Sequence, residues 1–236
     1  MLRLVRGAFK AGFPAYRFSG RVMLEQLLKF FIVFFVVVEP LSLVPVFSSL
    51  TAGASEGYRR VMAFKAVVIA GVILVLFALG GAHFLNVMGI SIEAFRIFGG
   101  LLLFLIALEM VFARESGTRT SSEERAESAR RADISVFPLA FPLIAGPGAL
   151  VTILLWFGPV HIAERPLLFI GLVACVALVL AVTLVLMLLS SSVMRALGVT
   201  GANVANRLFG VILGALAVQF VIDGLRASFG GVSPVG

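Results

Sequence analysis

Six apolar runs, each near the length that crosses a bilayer as a helix, constrain this chain more than any other feature. A helix rising 1.5 Å per residue needs about 20 apolar residues to span the hydrocarbon core. By that measure spans are expected over about 24–50, 61–83, 91–112, 134–157, 167–190 and 202–225. A helix satisfies its own backbone polar groups, which lipid cannot do. The expected fold is therefore an all-α membrane protein with six transmembrane helices. The chain is 61% hydrophobic and only 13% charged, against roughly a quarter charged in an average soluble domain. No segment between the runs is long enough to form a soluble catalytic domain.

Two of the runs carry their own interruption. The first contains Glu39-Pro40-Leu41-Ser42-Leu43-Val44-Pro45, and the fourth contains Phe141-Pro142-Leu143-Ile144-Ala145-Gly146-Pro147-Gly148-Ala149. Proline removes a backbone donor and clashes with the preceding turn, while glycine permits non-helical angles. Each helix is expected to come apart there, and the fourth to restart after Pro147. Broken backbone at membrane depth is tolerated where it lines a cavity or packs within protein, and transporters bind their cargo at such places. The alternative is a pair of kinks that only shape packing.

The interruptions are not independent. Pro40-Leu41-x-x-x-Pro45 recurs as Pro142-Leu143-x-x-x-Pro147, and Arg96-Ile97-Phe98-Gly99 recurs as Arg207-Leu208-Phe209-Gly210. Ala94, Leu102 and Leu105 match Ala205, Leu213 and Leu216 at the second offset. Span one thus corresponds to span four, and span three to span six. With an odd number of spans per repeat, the second repeat enters the membrane the other way up. The expected organisation is two inverted three-helix repeats with broken first and fourth helices. They comprise residues 23–112 and 134–228, flanking a charged linker over 113–133, with a loose tail over 229–236.

Charge bears on topology. Residues 1–22 hold Arg3, Arg6, Lys10, Arg17 and Arg21 and no acid, and setting them aside lowers the net charge from +7 to +2. This basic stretch reads either as a surface-lying amphipathic arm or as an extension upstream of a start at Met23. It has no apolar core followed by a small-residue cleavage site, so it is not read as a secretory signal. Nor is the positive charge read as nucleic-acid binding. Without this stretch, one set of loops carries Arg59, Arg60, Arg114, Arg119, Arg125, Arg130, Arg131 and Arg195, the other only Arg165 and Arg226. The positive-inside rule then places 113–133 in the cytoplasm and both termini outside. With the leader restored the bias vanishes, so the start site and the topology are one question.

Few residues are equipped for chemistry. A helix restarting after Pro147 offers backbone amides at Gly148, Ala149 and Leu150 to an anion such as a carboxylate. Gly146 and Gly148 would let a ligand approach closely. Glu39 sits near mid-span, where a carboxylate costs a few kcal/mol. It is suited to a substrate ammonium, a coupling proton or Na⁺, or else to capping the broken turn. Thr152 is either a ligand contact or a back-bonded core residue. Glu93 and Arg96, at i and i+3, suit an intrahelical ion pair. Arg207, beside Asn203 and Asn206, is expected with Arg96 to cap a half-helix of the opposite repeat. Cys175 reads as a small buried hydrophobe. No metal-ligand spacing, P-loop or nucleophile elbow appears, so no enzyme, metal site or cofactor is expected.

Three stretches carry a resemblance: Glu39-Pro-Leu-Ser-Leu-Val-Pro-Val-Phe47, Ala94-Phe-Arg-Ile-Phe-Gly-Gly-Leu-Leu-Leu-Phe-Leu-Ile-Ala-Leu-Glu-Met110 and Phe137-Pro-Leu-Ala-Phe-Pro-Leu-Ile-Ala-Gly-Pro-Gly-Ala149. Together they make residues 23–228 similar to MarC-family integral membrane proteins. The resemblance implies a prokaryotic six-span plasma-membrane protein. It also implies relatives that begin just before the first span, and an archaeal relative regarded as a transporter of small neutral amino acids such as glycine and alanine. The family's usual Asp-Pro-x-Gly-x-x-Pro reads Glu39-Pro40-Leu41-Ser42-Leu43-Val44-Pro45 here, so Ser42 stands where a glycine is usual.

The expected function is secondary transport of a small zwitterion, a neutral amino acid, by alternating access between the repeats. Glu39, Pro40, Ser42 and Pro45 would face its ammonium, and Gly146, Pro147, Gly148, Ala149 and Thr152 its carboxylate side. The coupling ion, H⁺ or Na⁺, is left open, as is a homo-oligomer. The alternative is a non-transporting membrane scaffold or regulator that presents the 113–133 loop to a partner.

Overall fold

A computed structural model of the chain describes residues 20–112, 133–160, 162 and 164–229. The basic leader up to residue 19, the linker from 113 to 132 and the tail from 230 lie outside the described residues. The regular elements are α1 (Gly20–Val38), α2 (Pro40–Leu50), α3 (Glu56–Val87), α4 (Ile92–Phe112), α5 (Pro147–Phe157), α6 (Pro166–Leu188) and α7 (Ser190–Phe229), with an irregular Ser135–Ile144 segment before α5. The stretch Val22–Leu50 and four further helices are long and apolar enough to cross a membrane. The bent pair Ser135–Ile144 and Pro147–Phe157 makes a sixth span if counted as one.

The helix boundaries follow local chemistry. Ser55 caps α3 by accepting the Tyr58 amide at 3.3 Å, and Ser91 Oγ accepts the Ala94 amide at 3.1 Å as α4 begins. Between them the chain turns at Gly89, with φ 69. Pro40, Pro147 and Pro166 each open a helix, where the missing N–H has no intrahelical acceptor in any case. One boundary departs from expectation. The expected spans 167–190 and 202–225 leave the stretch between them outside the membrane helices, yet α7 runs unbroken through it for 40 residues. The chain has no proline between Pro166 and Pro234, so nothing there removes a helical donor, and the turn shrinks to Leu189.

The first half of the fourth span also differs. Phe137 (φ −127, ψ 127) and Phe141 (φ −134, ψ 130) are extended, as residues preceding proline tend to be. Wide bonds from the Leu139 amide to the Ile134 carbonyl (3.4 Å) and from Ala145 to Ala140 (2.8 Å) bridge the gaps. The peptide bonds before Pro138 and Pro142 are cis. Instead of a helix that breaks once, this half-span is a run of wide turns kinked at Phe137 and Phe141, bent by 56° from α5.

The two proline-interrupted stretches form the centre of the molecule. Val33, Phe34, Val36, Val37, Val38 and Leu43 are buried on one, and Leu139, Leu143, Ile144, Ala149, Val151 and Ile153 on the other. The long helices α3, α4, α6 and α7 surround them, with large apolar side chains such as Leu76, Leu101, Ile170 and Val211 on the outer surface. Phe30 of α1 meets Trp156 and Phe157 of α5 at ring separations of 5.5 and 5.9 Å, and Phe157 meets Phe169 of α6 at 5.2 Å.

The most extensive helix pair is α4 with α7. A Cβ built on Gly100 would lie 2.7 Å from Val221 Cγ2, one on Gly210 2.8 Å from Met110 Cβ, and one on Gly224 2.7 Å from Ile97 Cγ1. Early residues of α4 thus meet late residues of α7, so the pair is antiparallel and its backbones touch. In lipid, where apolar side chains gain little by leaving their surroundings, such close approach is a main source of helix association.

Polar contacts gather the chain junctions at one end of the bundle. Arg59 at the start of α3 reaches Ser190 and Ser191 at the start of α7. Lys65 Nζ lies 3.1 Å from Asp133 Oδ2, at the return of the linker. Asp133 also accepts the Ser135 hydroxyl and amide. Those two bonds, then Lys65, hold its carboxyl down at about 2. A folded value below the ordinary 3.8 means the latch stabilises fully above that pH and is lost as pH falls through about 2. Hydrogen-exchange protection of the Ser135 amide is expected to hold from neutral pH to about 4 and to fade towards about 2. Loss already near pH ~5 contradicts the assignment.

Candidate functional site

The first interruption is built by Glu39. Its backbone takes the left-handed conformation, φ 53 and ψ 58, which costs a non-glycine residue about 1–3 kcal/mol. The residue is 5% exposed. Its amide still donates to the Phe35 carbonyl at 3.0 Å, while its carbonyl accepts from Ser42 at 3.0 Å and Leu43 at 3.4 Å. One helix therefore hands over to the next at this residue, with Pro40 opening α2. Pro45 lies inside α2, and its missing N–H leaves the Leu41 carbonyl without its usual helical donor.

The second interruption ends at Gly146, extended at φ −72, ψ 173, before Pro147 starts α5. The Leu150 amide donates to the Gly146 carbonyl at 3.0 Å. The amides of Gly148 and Ala149 belong to the first helical turn, which has no intrahelical acceptors.

The fold sets these two places side by side. A Cβ on Gly148 would lie 3.3 Å from Val37 Cγ1, two residues before Glu39, and 2.6 Å from Leu103 Cδ2. Leu103 is midway along the span Ile92–Phe112, so both interruptions sit at its middle depth. The glycines serve packing more than openness. The space beside Gly148 is filled by Leu103 and Val37, and that beside Gly146 by the Pro142 carbonyl oxygen. Thr152 is fully buried and donates its hydroxyl to the Gly148 carbonyl at 2.9 Å, so it is back-bonded to its own helix.

Among the supporting residues, Asn206 joins the site. Ser42 Oγ donates to Asn206 Oδ1 at 2.7 Å, and Phe209 one turn on stacks edgewise against Phe35 at 6.5 Å. The expected Glu93–Arg96 ion pair is not formed among the described residues. Arg96 lies seven residues along α4 from Leu103, about 10 Å, and so is removed from the interruptions. Among the described residues neither Arg96 nor Arg207 makes a hydrogen bond that would cap a half-helix. Asn203 and Arg207 are exposed. Sequence reasoning missed Arg59 and Asp133 as junction contacts; the pattern Asp133-x-Ser135, a carboxylate two residues before a hydroxyl, was the available signal for the second.

A sequence profile described as MarC family integral membrane protein matches residues 24–229. The chain belongs to the MarC family. It is 38% identical to a UPF0056 membrane protein of Aquifex aeolicus over 198 residues, 84% of this chain and 91% of that one. It is 33% identical to the Escherichia coli UPF0056 membrane protein YhcE over 86% of this chain and 94% of the relative. To the Bacillus subtilis protein YvbG it is 35% identical over 88% and 98%. No solved structure matches. Both interruptions and the α4–α7 pair lie inside the matched residues, which take in every helix but the first four residues of α1. This chain is a multi-pass integral membrane protein of that family.

Proposed function

We propose that this MarC-family protein is a secondary transporter of small neutral amino acids in a prokaryotic plasma membrane, working by alternating access between two inverted repeats. The observation that carries the reading is the meeting of the two interrupted stretches at mid-span, through Val37, Gly148 and Leu103. Transporters place cargo where discontinuous helices meet near the bilayer midplane.

Support for the inverted repeat comes from reciprocal packing. Helix α1 packs on α6, and its counterpart Ser135–Ile144 packs on α3; α2 packs on α7, and its counterpart α5 packs on α4. The counterparts α3 with α6, and α4 with α7, pack on each other. A two-fold relation between the halves generates this exchange. The contacts Arg59–Ser190 and Lys65–Asp133 bring the heads of α3 and α7 to the same end as Asp133, just after the linker, in keeping with a cytoplasmic 113–133 linker. In this reading Glu39, at the acidic interruption, faces the substrate ammonium, and the first turn of α5 faces the carboxylate.

Purified protein in proteoliposomes tests this. Labelled alanine, glycine or serine is expected to accumulate under an imposed proton or sodium gradient, and Glu39→Gln is expected to reduce the initial rate at least about tenfold, roughly 1.4 kcal/mol. The proposal fails if none of the three crosses under either gradient. Its mechanism fails if Glu39→Gln transports like the parent.

A further inference from the structure

Arg59 occupies an unusual position for a cation at the head of a membrane helix. Its Nη1 donates to Ser191 Oγ and its Nη2 to Ser190 Oγ, both at 2.7 Å. Its Cζ lies 5.8 Å from the centroid of the Phe47 ring. Phe47 and Ser190 are fully buried, so the guanidinium joins two fixed points. One is the end of α2, which follows the Glu39 interruption; the other is the junction of α6 with α7. Thr51 steadies the α2 side by donating its hydroxyl to the Phe47 carbonyl at 2.7 Å.

A forked guanidinium bonded to two hydroxyls fixes direction as well as distance, which a lysine ammonium cannot reproduce. Among the described residues, α2 is otherwise held to the second half through apolar contact and the Ser42–Asn206 bond. The contacts of its counterpart α5 with α4 and α3 are apolar. Gly99 takes Val151 against it, and Gly81 takes Leu154. At the linker end, Arg59 thus adds directed polar bonds to apolar packing of this kind.

We infer that Arg59, with Ser190 and Ser191, is a fastener that holds the linker end of the bundle closed, and that its release lets α2 and the head of α7 separate. The inference rests on the two halves moving against each other, and it names the contact that regulates the movement. Packed interfaces of this kind switch between discrete arrangements instead of deforming smoothly, so release produces a second population and not a small drift.

The test is pulsed dipolar spectroscopy on the full chain in lipid nanodiscs, with spin labels at Ala52→Cys and Ala196→Cys in a Cys175→Ala background. The parent is expected to give one dominant distance. Arg59→Gln is expected to add a second maximum longer by about 5 Å or more, the scale of a one-turn shift. The double variant Ser190→Ala, Ser191→Ala removes the acceptors without touching the cation, and is expected to add the same maximum. It also serves where Arg59→Gln does not fold. A distribution unchanged in the folded variants overturns the fastener, including when their melting temperature drops, because that marks a purely structural pin. The outcome is separate from transport: labels that part in a protein that moves no amino acid keep the fastener and sink the transporter reading. Uptake that persists with an unchanged distribution does the reverse.

Discussion

Replacing Gly100 with leucine is expected to be among the most damaging single changes in this protein. A Cβ at this position alone would sit 2.7 Å from Val221 Cγ2, 2.8 Å from the Ala217 carbonyl oxygen and 3.0 Å from the Val221 amide nitrogen. Two of those three atoms are backbone, so no rotamer change relieves the contact. The α4–α7 axis must widen, and the short contacts at Gly210 and Gly224 open with it. Overpacking a tight core costs about 1–3 kcal/mol. A branched four-carbon side chain against backbone belongs at the top of that range, or about 10 °C in melting temperature for a chain of this size. Gly80→Ala is the matched control. Nothing lies within 4 Å of a Cβ there, and alanine favours a helix over glycine by about 1 kcal/mol. Thermal unfolding in detergent, followed by the fluorescence of Trp156, separates the two. Equal melting temperatures for Gly100→Leu and Gly80→Ala would show that backbone contact between α4 and α7 does not hold the bundle.

The second large effect is expected at Gly146, where even alanine is too big. The dihedral angles, φ −72 and ψ 173, suit any residue, so the need for glycine is steric. An added Cβ would run into the Pro142 carbonyl oxygen. Pro142 belongs to the preceding half-span, and the clashing atom is backbone, which no rotamer change moves aside. Gly146→Ala is therefore expected to displace the first turn of α5 from beside Val37. A stability loss of about 2 kcal/mol is expected, with saturable uptake abolished if the mid-span junction is the substrate site. A variant that keeps both the parent's melting temperature and its uptake would remove Gly146 from the account.

Much of the helical layout was legible because apolar length and proline position act locally. Pro40, Pro147 and Pro166 open helices where the sequence places them, since a missing donor has the same consequence in any surroundings. The stretch after Leu189 joins the helix of the sixth span for the complementary reason: serine and threonine tolerate a helix, and no proline forbids one. The tandem Phe137-Pro138 and Phe141-Pro142 marks a departure from helix, but not that the half-span would become a run of wide turns. That outcome depends on the wide hydrogen bonds and on burial against α3.

The candidate site divides in the same way. Glu39 and the residues around Pro147 stand out in the sequence because charge, proline and glycine are costly or unusual inside an apolar run. The roles of the neighbours do not. Glu93 and Arg96 have the right spacing for a pair but do not form one, whereas Ser42 and Asn206, 164 residues apart, share a 2.7 Å bond. Arg59 looks like an ordinary loop cation until Ser190 and Ser191 appear beside it.

A membrane setting, the apolar lengths available to cross it and the prolines that fall inside those lengths are all readable from the residues alone. These follow from transfer of apolar side chains out of water and from backbone donors that proline removes, both properties of short segments. That the two proline-bearing stretches meet, that Val37 and Leu103 fill the space beside Gly148, and that Arg59 reaches Ser190 and Ser191 emerges from the folded chain alone. Those are contacts between segments remote in sequence. Their geometry is set by how closely the helices approach one another, which the glycines of α4 and α7 permit and no single segment specifies.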